Sequence, residues 1–252
     1  MKKITNHYYE IEQKGCFAIL FFKNDIFKLL TSGNEIEILF ETLKSIKRDS
    51  NIKALLFMNS QDCYGEKVYD TFIKEIMSPK TKNDNTYDIP NFCDQKARFK
   101  ELNFLNRFVS FIAGFNKICV TILSGSVVTP FFGAALATDI RFATEDTFFS
   151  LAHHKYGLHP SGGLPYFLVE ELGYNKAMKV LLTEKISSKE AYDIGLINNI
   201  LPKENTLEHA LKHLEKIKEF NSCSLRRTKS LLQFTRKSLA EYFLHEGTFM
   251  YM

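Results

Sequence analysis

Residues 118–137 read ICVTILSGSVVTPFFGAALA, twenty positions without a charge. That is long enough to span a bilayer as one helix. The middle of the run argues against it, because Ser124, Gly125, Ser126, Thr129 and Pro130 interrupt the apolar sequence. Turn residues there divide it into a buried strand over 119–123, a turn over 124–130 and a buried helix beyond. Thr129 reads as the N-cap of that helix and Pro130 as its first residue. The run is therefore a piece of a folded α/β layer, not a membrane span.

Upstream, residues 16–22 (CFAILFF) and 53–58 (KALLFM) are apolar runs of strand length. Between them, residues 35–46 carry Ile36, Leu39, Phe40 and Leu43 at helical spacing. Strands alternating with helices predict crossover units and an α/β fold. Residues 78–96 are polar, hold two prolines and show no period, which predicts a long loop. A helix is expected over 96–115, with Phe99, Leu102, Leu105, Phe108, Val109 and Ile112 on one face. Downstream, helices are expected over 163–172, 174–182, 206–220 and 224–243. Ser187-Ser188-Lys189-Glu190 reads as a capping box opening a short helix that stops at Gly195.

The chain has 252 residues, 45% hydrophobic and 25% charged, which fits one large globule and excludes collagen-like or disordered classes. Five cysteines (Cys16, Cys63, Cys93, Cys119, Cys223) without a C-x-x-C pair exclude a disulfide framework and point to reduced thiols in a cytoplasm. The N-terminal lysines are followed by no apolar core, so no signal peptide is read there. The net charge of +4 is unevenly placed. Residues 212–237 hold eight Lys/Arg against two Glu, a local +6, which leaves the rest of the chain at −2. Three readings stand for this basic stretch: a solvated helix face, a site for CoA phosphates or an acidic carrier protein, and nucleic acid. Sparse aromatic interleaving disfavours the last. His153, His154 and His159 fit no standard zinc spacing, and His209 and His213 read as a solvated helix face.

Three blocks between residues 118 and 202 resemble the crotonase (enoyl-CoA hydratase/isomerase) superfamily. They are KICVTILSGSVVTPFFGAALATDI, FSLAHHKYGLHPSGGLP and LTEKISSKEAYDIGLINNILP, in the family's order and spacing. The resemblance implies a spiral core of ββα units over residues 1–198 and a C-terminal helical region over 199–252. It implies a homotrimer or hexamer, acting on acyl-CoA or on an acyl carrier protein, with neither nucleic acid nor membrane as partner. No separate cofactor is implied, since CoA or phosphopantetheine arrives as part of the substrate. Two backbone N–H groups of such a fold stabilise the enolate of the thioester.

Carried over residue by residue, the family's two glutamates fall on Gly133 and His153, neither a carboxylate. Pro130 takes the place of a donor glycine and has no N–H to give. The N–H of Phe131 is the neighbouring candidate, and Val68, in the loop Tyr64-Gly65-Glu66-Lys67-Val68, is the candidate for the other donor. A finer likeness is to members from polyketide β-branching cassettes, in the FSL…GL-x-P run and in the tail His245-Glu246-Gly247-Thr248-Phe249. Their decarboxylase type implies His245 and a lysine, Lys100 or Lys96, near the substrate carboxylate. His153 is the expected acid/base, with a side chain that normally titrates near neutrality. Tyr64 either hydrogen-bonds the acyl group or packs. Arg226, Arg227 and Lys229 are the candidates for the phosphates. The function expected is decarboxylation or dehydration of a β-branched acyl thioester rather than ordinary hydration. The alternatives are a member kept for binding alone, and an isomerase-type member using His153.

Overall fold

The computed structural model describes residues 3–61, 63–77, 92–236 and 238–249. The first half runs β1 (Ile4–Thr5), β2 (Tyr9–Lys14), β3 (Phe17–Phe22), α1 (Ile26–Thr31), α2 (Gly33–Arg48), β4 (Ala54–Asn59), α3 (Glu66–Ile76), α4 (Gln95–Ala113) and β5 (Ile118–Leu123). Then come β6 (Ser126–Val128), α5 (Thr129–Leu136), β7 (Ile140–Thr144), β8 (Phe148–Ser150), α6 (Leu164–Leu172), α7 (Tyr174–Leu181), β9 (Lys185–Ser187) and α8 (Ser188–Asp193). The chain ends with β10 (Asn199–Leu201), α9 (Thr206–His213), α10 (Ser222–Gln233) and α11 (Leu239–Thr248).

The expected α/β layering is present. Seven strands form one sheet in the order β1-β2-β3-β4-β5-β7-β10, and β6-β8-β9 form a second. From β3 to β10 the large sheet is parallel, and β1 and β2 extend it antiparallel. Each turn of the spiral sends a long strand to the large sheet and a short one to the small sheet, then a helix: β5–β6–α5, then β7–β8–α6. β10 pairs with β7, so the helical remainder of the chain starts after Leu201.

A sheet covered on both faces needs apolar side chains at every position, hence strands that read as unbroken apolar runs. Phe17, Ile19, Ala54, Leu56, Val120 and Ile122 face Ala210, Leu214 and Ile217 of the C-terminal region. The alternate residues Ala18, Leu20, Phe22, Leu55, Phe57 and Leu123 face the main core under α2–α6. Full burial of each large side chain contributes roughly 1.5–3 kcal/mol. Asn59, buried at the end of β4, donates to the carbonyls of Ser60 (2.8 Å) and Ser124 (2.9 Å) and accepts from Ser124 N–H (3.2 Å). It thereby binds the carboxyl ends of β4 and β5 together. Gly125 follows with φ +70°, and a Cβ there would lie 2.2 Å from the Gln61 carbonyl oxygen, so only glycine fits.

The uncharged run over 118–137 is β5, β6 and the first eight residues and cap of α5, and no described helix is long and apolar enough to cross a membrane. Three expectations shift. Val128, not Thr129, caps α5, because the Thr129 hydroxyl turns instead to Ser150 and His153. Helix 206–220 ends early as α9 and a 3-10 turn, Glu215–Lys218. The last helix breaks into α10 and α11. Gln233 donates to the carbonyls of Ala113 (2.6 Å) and Phe115 (2.9 Å), which ties the end of α10 to α4 before the chain turns. Most of the loop expected over 78–96 lies outside the described residues, and α4 begins at Gln95, capped by Asp94 on Ala97 N–H (2.9 Å). The capping box at Ser187 and Glu190 is formed as expected.

Lys229 of α10 is buried and fastens the C-terminal region to the core. Its ammonium donates to the Lys117 carbonyl (2.6 Å) and to Asp139 (2.7 Å), which also accepts from Cys119 N–H (2.7 Å). Lys229→Met strips the cation from both acceptors. It is expected to destabilise the fold by about 1–3 kcal/mol, read as a lower urea midpoint at unchanged slope.

Candidate active site at the carboxyl ends of the central strands

Parallel α/β sheets gather their sites at the carboxyl ends of the strands, where strand-to-helix turns converge. Here the turns after β4 and β6 present the first turns of α3 and α5 side by side. Val128 N–H donates to the Tyr64 carbonyl (2.9 Å), and Glu66 N–H donates to the Ser126 hydroxyl (3.3 Å). Val68 and Phe131 each stand third in their helix, where helix geometry supplies no intrahelical acceptor for the N–H. Tyr64 is buried with its ring stacked on Phe131, centroids 4.1 Å apart at 7°. Burial raises its phenol pKa well above the ordinary value. It packs.

His153 lies in the 3-10 turn Ala152–Tyr156, 1% exposed, with Nδ1 2.7 Å from the Thr129 hydroxyl. Burial lowers its pKa to about 3, with the neighbouring His154 and His159 adding to the shift. The ring is thus neutral through the working pH range and does not exchange a proton near neutrality as a free histidine would. Gly133 is closed to any side chain. A Cβ there would lie 2.3 Å from the Gly162 carbonyl oxygen, and one on Gly162 would lie 2.4 Å from that of Pro130.

The titratable groups that converge in the interior are others. Arg98 and Glu101 of α4 are buried and paired at 2.6 Å, and Glu246 of α11 is 5% exposed. Neither oxygen of Glu246 makes a hydrogen bond, nor does Oε1 of Glu101 or Nε2 of His159. Burial pushes the Glu246 pKa up to about 7, opposed by Tyr242 one turn earlier, the N–H groups of Gly163 and Gly162, and Arg98. Burial likewise raises Glu101 against the pull of Arg98, and lowers His159 to about 4 with help from the Arg98 charge. Two buried carboxyls thus stand near one guanidinium, and burial favours the neutral form of each. Outside this cluster, Lys155 and Lys185 outweigh the effect of burial on Glu66 and hold it at about 2.

The lysine and histidine expected at the reactive end lie on the exposed faces of their helices. Lys100 is exposed and donates to the Thr31 carbonyl (3.3 Å), and Lys96 is exposed as well. Arg98 between them points inward. His245 is exposed against Phe249 (ring centroids 5.3 Å), and its neighbour Glu246 turns in. The signal for Arg98 and Glu101 was present: opposite charges three apart, on the face that carries Leu102 and Leu105. The basic residues are not brought to this site. Lys229 is spent on Asp139, while Arg226 and Arg227 are exposed on α10, which Lys229 ties to the amino end of β5.

Two outcomes test these placements. Thr129→Val leaves His153 Nδ1 and the Ser150 carbonyl without a partner and is expected to cost about 1–3 kcal/mol in chemical denaturation, with Thr129→Ser retaining most of it. Glu246 has a raised pKa, so its stabilising neutral form is complete below the ordinary carboxyl value and is lost as pH rises through about 7. Glu246→Gln removes that loss. The unfolding free energy of the variant, from urea denaturation at each pH, should gain on the parent's as pH rises from about 5 to 8, by at most roughly 3 kcal/mol.

A model of the enoyl-CoA hydratase/isomerase family matches residues 91–249. The chain is 28% identical over 123 residues to the 2,3-dehydroadipyl-CoA hydratase of Escherichia coli, covering 48% of each chain. It is 43% identical over 90 residues to the ethylmalonyl-CoA decarboxylase of Mus musculus, covering 33% of this chain and 28% of that one. The matched parts are less than two thirds of either relative's length. Among solved structures, an enoyl-CoA hydratase from Bacillus halodurans shares the fold with a TM-score of 0.76 at 21% identity, over 96% of this chain and 93% of that one. Pseudomonas aeruginosa DspI does so with a TM-score of 0.72 at 19% identity, over 96% and 93%. A family match over more than half of the chain, on a spiral fold shared almost end to end, makes this protein a member of the enoyl-CoA hydratase/isomerase, or crotonase, family.

Proposed function

We propose that the protein carries out decarboxylation of an acyl thioester, on CoA or on an acyl carrier protein, through an enolate held by backbone N–H groups. Dehydration, the reverse of water addition, would need an acid–base pair other than the one the family likeness places at Gly133 and His153. The observation that carries this reading is the state of Gly133 and His153, where the family likeness puts an acid–base pair. One has no room for a side chain, and the other is a buried, neutral imidazole. Adding water to an enoyl group needs a base to activate it. Decarboxylation does not: the bond to the carboxylate breaks, at the α-carbon of a malonyl-type thioester or at the γ-carbon of a glutaconyl one, its electron pair becomes the enolate or the conjugated dienolate, and carbon dioxide leaves. One proton must then return to carbon. Glu246, with a pKa of about 7, is suited to supply it. The N–H groups of Val68 and Phe131 are the candidates for the oxyanion. The local likeness to an ethylmalonyl-CoA decarboxylase supports the same choice. A β-branched polyketide-type intermediate is the substrate favoured by the tail from His245 to Phe249.

A second reading, thioester binding without conversion, is favoured by Pro130, which offers no N–H, and by the Tyr64–Phe131 stack beside it. Turnover separates the two. Purified protein is incubated with ethylmalonyl, 3-methylglutaconyl and 3-hydroxy-3-methylglutaryl thioesters of CoA and of a carrier protein, and loss of carbon dioxide or water is followed by mass spectrometry. Conversion of at least one is expected, with Glu246→Gln slower by roughly a hundredfold. A folded protein that binds these thioesters and converts none refutes the first reading.

A further inference from the structure

The amino ends of the parallel strands carry a second concentration of charge, assembled from segments far apart in sequence. Lys47 and Arg48 end α2, Lys53 directly precedes β4, Lys117 directly precedes β5, and Arg226 lies in the first turns of α10. With Asp49 and Ser222 they line a cleft of about 90 Å³. Five cations there face a single carboxylate.

Three of the cations donate their hydrogen bonds to backbone carbonyls and not to carboxylates. Lys47 donates to the Gly114 carbonyl (3.3 Å), and Lys53 to those of Lys218 (2.6 Å) and Phe220 (2.8 Å). Lys117 donates to the carbonyls of Ile46 (2.8 Å) and Asp49. It is only 6% exposed; burial disfavours its charge, Asp49 attracts it and Arg226 opposes it. Arg48 and Arg226 are exposed and make no hydrogen bond or ion pair among the described residues. Other exposed arginine and lysine side chains do find carboxylates, as in Arg107 with Glu37 and Lys155 with Glu66.

Two exposed guanidiniums without carboxylate partners beside a buried ammonium, with Asp49 the one carboxylate among the lining residues, leave a local excess of positive charge that attracts an anion. We infer that this cleft binds a phosphate-type oxyanion, one phosphoryl group seated between Arg48, Arg226 and Lys117. The volume holds several waters and therefore one tetrahedral oxyanion, while any attached group extends past the exposed arginines into solvent. Guanidinium forks match phosphoryl oxygens in pairs. The site is distinct from that of Tyr64 and Thr129. Those residues follow β4 and β6, whereas the cleft precedes β4 and β5, and six-residue strands separate the two ends by about 20 Å. The inference does not rest on the reading of the thioester site.

Isothermal titration calorimetry of the full chain at fixed ionic strength tests it, with inorganic phosphate, inorganic diphosphate and adenosine diphosphate as titrants. Saturable one-site binding of diphosphate is expected, weakened about tenfold or more by Arg48→Ala or Arg226→Ala. Arg227→Ala, on the same helix but outside the cleft, should bind as the parent does. Tighter binding of inorganic diphosphate marks free phosphate as the ligand, and tighter binding of adenosine diphosphate marks an organic phosphate; either supports the site. No saturable heat with any titrant, or equal weakening by Arg227→Ala, overturns it. The substituted arginines are exposed, and circular dichroism of each variant confirms folding.

Discussion

The close approach of two backbones at Gly133 and Gly162 is the constraint on which the site depends. The first turn of α5 and the segment before α6 meet there with less than the room of one methyl group between them. That contact sets where α6 begins. It places the Gly162–Gly163 N–H groups within reach of Glu246, and Phe243 of α11 packs beside Gly163. It also explains why position 133 bears no carboxylate. A side chain there would push the two elements apart, and a packed interior absorbs such an insertion poorly.

The buried charges of this protein fall into two kinds, and the difference is in their partners. Lys229, Asp139 and the Lys117 carbonyl satisfy one another, as do Arg141 and its acceptors at Thr138 (2.7 Å), Leu196 (2.7 Å) and Glu171 (3.1 Å). These join segments of the fold. Glu246, Glu101 and His159 keep polar atoms without partners. Burying an unpaired polar atom costs free energy, and the cluster of such atoms around Arg98 is what sets these groups apart from the first kind. His153 belongs to the first kind despite its position. Its bond to Thr129 and its burial fix a neutral ring that orders the turn beside α5.

Much of the fold was legible along the chain. The apolar runs at 16–22 and 53–58, the periodic helix at 35–46 and the capping box at Ser187 all form where their patterns place them. The errors sit at ends and breaks. Thr129 moved from cap to first helical residue because its hydroxyl was claimed by Ser150 and His153, and the final helix broke where Gln233 reached back to α4. Which side chains of α4 and α11 face the interior was not legible along the chain. Lys100 and His245 were named from the family likeness, while the helices turn Arg98 and Glu246 inward. A helix rotates 100° per residue, so a shift of one position changes which side chain faces the interior.

By itself, then, the sequence determined the elements, their α/β alternation and the family. Those follow from periods of two and 3.6 residues and from caps, all short-range in the chain. What only the tertiary structure decided was which charges lack partners. The Arg98–Glu101–Glu246 cluster joins α4 to α11, and the basic cleft joins α2, the approaches to β4 and β5, and α10. Local sequence contained Arg226 only as one of eight cations in a basic stretch. Its neighbours Arg48 and Lys117 are set beside it by the packing of distant segments, because electrostatic interaction depends on distance in space and not along the chain.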